Sequence, residues 1–325
     1  MRSFKKLAIS NYCAFYAVIV FLSSLFFLSL YLNGDQAYYI RFWNSGKLLD
    51  FIDLYNELKI TLGSYEPTYF LIVFLVSPFI SKLVFISLLN GMFAFLMLEK
   101  LIKGKVHVLI LFILSLNFYL LVLYFSAERL KIAILILLIS EKYSHRVPFY
   151  FLSTLAHVST IYIIICKYIL IFSKNFKKFK LVIASKFNEA NKILLLSVVL
   201  ISSYLSYAQI NQKAIFYISY VSFSFYALVK LIALTFLAVI YSKNKITPLI
   251  LFVPLIIIFL LLGTERFTMF AFGIFMYFGL RFNRGLNVGV LATNVYLAIK
   301  GYFYLFSIYK YGNGFYENKP FLNLW

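Results

Sequence analysis

Acidic residues are scarce in this sequence: there are 11, against 31 lysines and arginines. Charged residues of both signs make up only 13% of the chain, where a soluble protein carries about 25%. That deficit excludes an ordinary soluble domain, and no polar stretch is long enough to form a separate one. Cysteine is equally sparse. Cys13 and Cys166 lie far apart in apolar segments, which excludes a disulfide framework and a thiolate metal site. There is no G-x-x-x-x-G-K-[ST], so ATP-driven transport lacks its phosphate cradle. There is no H-E-x-x-H or clustered His/Cys set for a metal, and no G-x-S-x-G elbow. Ser159 follows His157 by two residues, a helical spacing that points the two in different directions and argues against a serine–histidine nucleophile.

What is present is apolar: 63% of the residues. Tyr12–Leu32, Val106–Phe125, Pro248–Gly263 and Leu286–Ile308 are the clearest runs of membrane-spanning character. A β-barrel would instead alternate over strands of about ten residues. The sequence therefore predicts an all-α, polytopic integral membrane bundle forming a single domain over residues 1–325. The first run follows "MRSFKK" without a small-residue cleavage pattern and reads as a retained span.

The net charge of +20 fits the positive-inside bias of cytoplasmic loops and requires no nucleic acid. Basic clusters at Arg2/Lys5/Lys6, Lys100/Lys103/Lys105, Lys142/Arg146, Lys174–Lys192, Lys243/Lys245 and Arg281/Arg284 mark the inner side and place the N-terminus in the cytoplasm. To keep that parity, Thr68–Ile80, the first piece of residues 67–98 as split at Pro78–Lys82, reads as a half-helix or re-entrant segment, and Val147–His157 reads the same way. The expected count is about nine full spans plus two short segments, or about eleven spans if both cross. A GT-C-like architecture falls within that range. Residues 33–66, rich in Tyr, Asp and Asn, read as an outer (periplasmic) loop. Residues 174–192 read as a basic cytoplasmic loop, with an amphipathic segment on anionic membrane lipids as the alternative.

The remaining polar residues form a set. On this topology Asp35, Arg41, Glu66, Glu128, Arg129, His157, Glu265 and Arg266 all fall near the outer ends of spans. A charge at a bilayer centre costs roughly 2.5–3.5 kcal/mol on insertion scales, so such residues usually line cavities or pathways. Asp35 and Glu66 also read as solvated loop residues, Glu265–Arg266 as a hydrated turn, and His157 as a hydrogen-bonded residue of the bundle. The apolar run after Arg129 is too short to span alone, which draws Glu128, Arg129 and Lys131 into the helix. Arginine offers a planar fork for phosphate oxygens, and a carboxylate or histidine can accept a proton from an attacking hydroxyl. Together they suit transfer from a lipid-linked phosphate donor onto a hydroxyl at the outer face. Helical spacing pairs Lys131 with Glu128 and leaves Arg129 open to an external anion, with Arg266 as a second arm.

The pieces "NGDQAYYIRFW", "YEPTYF", "AERLKIAILILLIS", "LAHVSTIY" and "GTERFTMF" occur in an order that resembles the Wzy/EpsG family of bacterial polysaccharide polymerases, over roughly residues 33 to 270. Members more typically have Arg-Gln where this chain has Arg129–Leu130. The resemblance implies an O-antigen, capsule or exopolysaccharide polymerase of the bacterial inner membrane. It would move a glycan from undecaprenyl diphosphate to a sugar hydroxyl of a lipid-linked repeat unit on the periplasmic side. No cofactor, nucleotide or metal is implied; the expected partners are the lipid-linked oligosaccharide, membrane lipids and a chain-length co-polymerase. Arg129, Glu128, His157, Glu265 and Arg266 would be catalytic, and Asp35, Arg41 and Glu66 would bind the sugars. Two other classes stay open: a polysaccharide flippase or transporter, and an integral membrane O-acyltransferase using His157.

Overall fold

The computed structural model describes residues 2–63, 66–143, 146–174, 225–262 and 266–315. Among these every regular element is helical: α1 (Arg2–Leu30), α2 (Asp35–Ser45), α3 (Phe51–Leu62), α4 (Pro67–Val76), α5 (Lys82–Lys103), α6 (Val108–Ser115), α7 (Phe118–Phe125), α8 (Glu128–Ser140), α9 (Val147–Ala156), α10 (Thr160–Lys174), α11 (Phe225–Tyr241), α12 (Ile246–Leu262), α13 (Arg266–Gly279) and α14 (Val288–Tyr311), with one 3-10 turn at Asn283–Gly285. They fall into two compact units, one within Met1–His157 and Leu291–Trp325, the other within Val158–Val290.

Three segments among the described residues are long and apolar enough to cross a membrane: Ile9–Leu30, Lys82–Lys103 and Asn283–Tyr311. The α6–α7 pair makes a fourth if its two halves are one span, bent by 50°. The other apolar helices are shorter. At 1.5 Å per residue, the 10 residues of α4 reach about 15 Å, half of the roughly 30 Å hydrocarbon core. The brevity expected of Thr68–Ile80 and Val147–His157 is what α4 and α9 display.

Local chemistry sets these boundaries. Pro67 occupies the first turn of α4, where its missing N–H costs nothing. Asp50 caps α3 by accepting from Asp53 N at 2.9 Å, and Gly63 ends it in the left-handed conformation, φ 54°. The run Val106–Phe125 breaks because Asn117 turns its Oδ1 onto the N–H groups of Tyr119 and Leu120, starting a new helix. Gly301 of α14 passes that break; a Cβ there would lie 2.0 Å from the Leu116 carbonyl oxygen. Close approach through small residues recurs where Gly91 of α5 meets the Ala17 carbonyl of α1.

Within the stretch read as an outer loop, residues 35–62 carry α2 and α3, whose Tyr39, Phe42, Trp43, Leu54 and Leu58 are buried against Tyr69, Phe70 and Val73 of α4, Ile132 and Ala133 of α8, and Ala156 of α9. The stretch is rich in turn-forming residues, yet its apolar positions recur at helical spacing, and burial of that face outweighs the loop-like composition. In the second unit the Tyr162 hydroxyl of α10 donates to the Leu251 carbonyl of α12. Gly289 N donates to Tyr241 at the end of α11. The basic segment 174–192 lies outside the described residues, apart from the last residue of α10.

Candidate functional site

The first unit gathers most of its buried charge where α2, α4, α5, α8 and α9 meet. Glu66 is the residue before Pro67, so its carboxylate starts at the positive end of α4. It makes no cap to its own helix. Instead its Oε2 lies 2.6 Å from Nη1 of Arg129, in the first turn of α8. Its Oε1 faces Nδ1 of His157, just past α9, at 3.9 Å. The Arg129 Nε donates to the Tyr39 hydroxyl of α2 at 3.2 Å. The side chain of Glu66 is 2% exposed, Arg129 15% and His157 26%. The carboxylate is therefore the most enclosed of the three.

A second ion pair lies alongside. Glu128, the first residue of α8, is fully buried. Its Oε1 is 2.7 Å from Lys82 Nζ and accepts from Gln36 Nε2 at 2.9 Å; its Oε2 accepts from the Tyr69 hydroxyl at 3.0 Å. Lys82 also donates to Gln36 Oε1, and Gln36 donates to the Phe125 carbonyl. Three donors and a helix N-terminus thus hold this carboxylate. The two pairs meet at Tyr39: Lys82 Nζ lies 5.8 Å and the Arg129 guanidinium carbon 5.9 Å from its ring centre, within cation–π range.

Lys131, one turn further along α8, is fully buried and does not pair with Glu128 as helical spacing suggested. Its Nζ donates to Asn90 Oδ1 of α5 and to the Tyr124 carbonyl, at 2.5 and 3.1 Å. Asn90 Nδ2 continues the chain to Ser24 of α1 at 2.9 Å. The ladder joins α1, α5, α7 and α8 in an otherwise apolar interior.

Of the expected site residues, Glu66, Glu128, Arg129 and His157 come together. Arg129 is not left without a protein partner, as helical spacing suggested: Glu66 and Tyr39 each take one of its donors. The reason is tertiary: α4 places a carboxylate against α8 that spacing along α8 cannot reveal. Arg41 stands apart, 66% exposed and paired with Glu57 of α3 at 3.1 Å. Asp35 is exposed at the start of α2, and its neighbour Gln36 points into the cluster instead. Arg266 opens α13 in the second unit, and Glu265 lies outside the described residues. Sequence reasoning missed Lys82, Gln36, Tyr39 and Tyr69. Lys82 had one signal, a lone cation opening an apolar helix after a proline break. The hydrogen-bond support that Leu130 does not offer Arg129 comes from Tyr39.

No family model matches the chain, and neither a curated protein nor a solved structure matches it.

Proposed function

We propose that the protein is a membrane glycosyltransferase of the repeat-unit polymerase kind. It joins a glycan from an undecaprenyl-diphosphate donor to a sugar hydroxyl of a lipid-linked repeat unit. The observation that carries this reading is convergence. Side chains from four of the pieces that resemble the Wzy/EpsG family, "NGDQAYYIRFW", "YEPTYF", "AERLK" and "LAHVSTIY", contact one another although up to about 90 residues separate them. Helices that merely span a membrane have no need to bring two ion pairs and a histidine to one place, since each buried charge is costly there.

In this reading Arg129 holds the diphosphate as negative charge develops on the leaving oxygen, because its guanidinium has donors beyond the two used by Glu66 and Tyr39. Arg266 is retained from the sequence resemblance alone. Glu128, enclosed by Lys82, Gln36 and Tyr69, fixes the start of α8 and so the direction of Arg129. His157 and Glu66 face the acceptor. Further parts of the proposal are about nine to eleven membrane passes, a cytoplasmic N-terminus, a site on the periplasmic side of a bacterial inner membrane, and a chain-length co-polymerase as partner.

The test is complementation of a polymerase-null strain. Wild type restores long glycan ladders, and Arg129→Ala leaves caps of a single repeat. Full-length ladders from Arg129→Ala and Arg266→Ala alike would remove both arginines from the mechanism.

A further inference from the structure

We infer that Glu66 is the group that takes the proton from the acceptor hydroxyl, and that Arg129 restrains it until the donor's diphosphate claims the guanidinium; this rests on the polymerase reading. The geometry of one carboxylate carries the inference. Its Oε2 is bound by Arg129 at 2.6 Å, while its Oε1 is directed at His157, 3.9 Å away. A carboxylate bound this closely to a permanent cation is a poor proton acceptor, because the cation stabilises its charged form. A diphosphate brings negative charge to the same guanidinium. That weakens the hold on Glu66 and adds like-charge repulsion, and both raise the carboxylate's affinity for a proton. The guanidinium stays in place meanwhile, because its Nε is fixed separately by Tyr39. The base is thus activated only when the donor is present.

The groups facing Glu66 agree with this division of labour. Arg129 from α8 and His157 past α9 lie against Glu66, while Lys82 from α5 and Tyr69 from α4 lie against Glu128. Glu128 is already held by Lys82, Gln36 and Tyr69. His157, the most exposed of the set and the neighbour of Glu66 Oε1, is the group through which the proton leaves.

The step balances as follows. The acceptor oxygen forms a bond to the donor's anomeric carbon. The bond from that carbon to the diphosphate oxygen breaks, and its electron pair leaves with undecaprenyl diphosphate. The hydroxyl proton passes to Glu66 Oε1 and then, through His157, to water.

The test measures binding of inorganic pyrophosphate, and separately of farnesyl diphosphate, to the purified full chain in detergent, with polymer formation from lipid-linked repeats measured in parallel. Glu66→Gln removes the competing charge without removing the side chain. It is expected to bind the diphosphates at least about tenfold more tightly than wild type, the scale of a like charge a few ångströms away at interior dielectric, while forming no polymer. A misfolded variant would not gain affinity. If binding depends on Arg129 but Glu66→Gln binds equally or more weakly, or still makes polymer, the inference fails and the polymerase reading stands. If neither protein shows Arg129-dependent binding of either diphosphate, the polymerase reading fails and takes the inference with it. Binding of pyrophosphate but not farnesyl diphosphate would also overturn it, since the donor is a prenyl ester.

Discussion

Arg129 Nη1 lies 2.6 Å from Glu66 Oε2, a contact between residues 63 apart in sequence that ties the first turn of α8 to the entry of α4. Because both side chains are largely enclosed, breaking the contact strands a charge. Arg129→Ala should lower unfolding stability by about 3–5 kcal/mol. Arg129→Lys keeps the charge but cannot serve Tyr39 and Glu66 as a planar fork, so it should lose an intermediate amount. Thermal unfolding in detergent orders the three proteins; equal stability for Lys and Ala would show that the fork is unimportant.

Glu128 is the shared acceptor of three side chains. Glu128→Ala leaves Lys82, Gln36 and Tyr69 without their shared acceptor and should cost about 3–5 kcal/mol, whereas Tyr69→Phe removes one hydrogen bond and should cost about 1 kcal/mol. Lys82→Met combined with Glu128→Leu should be less harmful than the two single losses added together. Additive losses would mean the pair is not coupled.

The interior ladder makes a different prediction. Lys131 is held by neutral acceptors, so Lys131→Met should be tolerated, with stability within about 1 kcal/mol of wild type or above it. Asn90→Leu removes an acceptor from a buried ammonium and should cost about 1–3 kcal/mol. Chemical or thermal unfolding distinguishes the two; the reverse order would contradict the contact.

Two glycines give a steric contrast. At Gly301 an added methyl would meet the Leu116 carbonyl oxygen at 2.0 Å, and backbone cannot swing aside as a side chain can. Gly301→Ala should therefore cost about 1–3 kcal/mol or prevent assembly. At Gly273, within α13, nothing among the described residues lies within 4 Å of the added atom, so Gly273→Ala should be neutral or gain up to about 1 kcal/mol from helix propensity. Yield of monodisperse protein and melting temperature compare them; similar behaviour would contradict the packing of α14 at the α6–α7 break.

Much of this architecture was legible along the chain. Apolar run length marked α1 and α14, and Pro67 and Pro78 marked the short α4 and its separation from α5. Glu66, Glu128, Arg129 and His157 stood out as isolated polar residues in apolar context, and of the eight expected at one face these four come together. The pairings were not legible, because they are tertiary. Spacing along one helix matched Lys131 to Glu128, yet the nearer partner of Glu128 is Lys82 from another helix and that of Lys131 is Asn90. The α2–α3 pair was missed because Tyr, Asp and Asn suggest a loop, while the spacing of Phe42, Trp43, Leu54 and Leu58 encodes a buried helical face. Asp35 and Gln36 illustrate the limit: adjacent residues on a helix diverge by about 100°, and the uncharged one enters the cluster.

The most direct measurement incubates the purified chain in lipid nanodiscs with an undecaprenyl-diphosphate-linked repeat unit, no nucleotide sugar being added, and separates the products by length. The expected result is a ladder of longer glycans with release of undecaprenyl diphosphate, absent with Arg129→Ala. Repeats that stay single, with the same chain moving them across a vesicle bilayer or acylating them, would contradict the account.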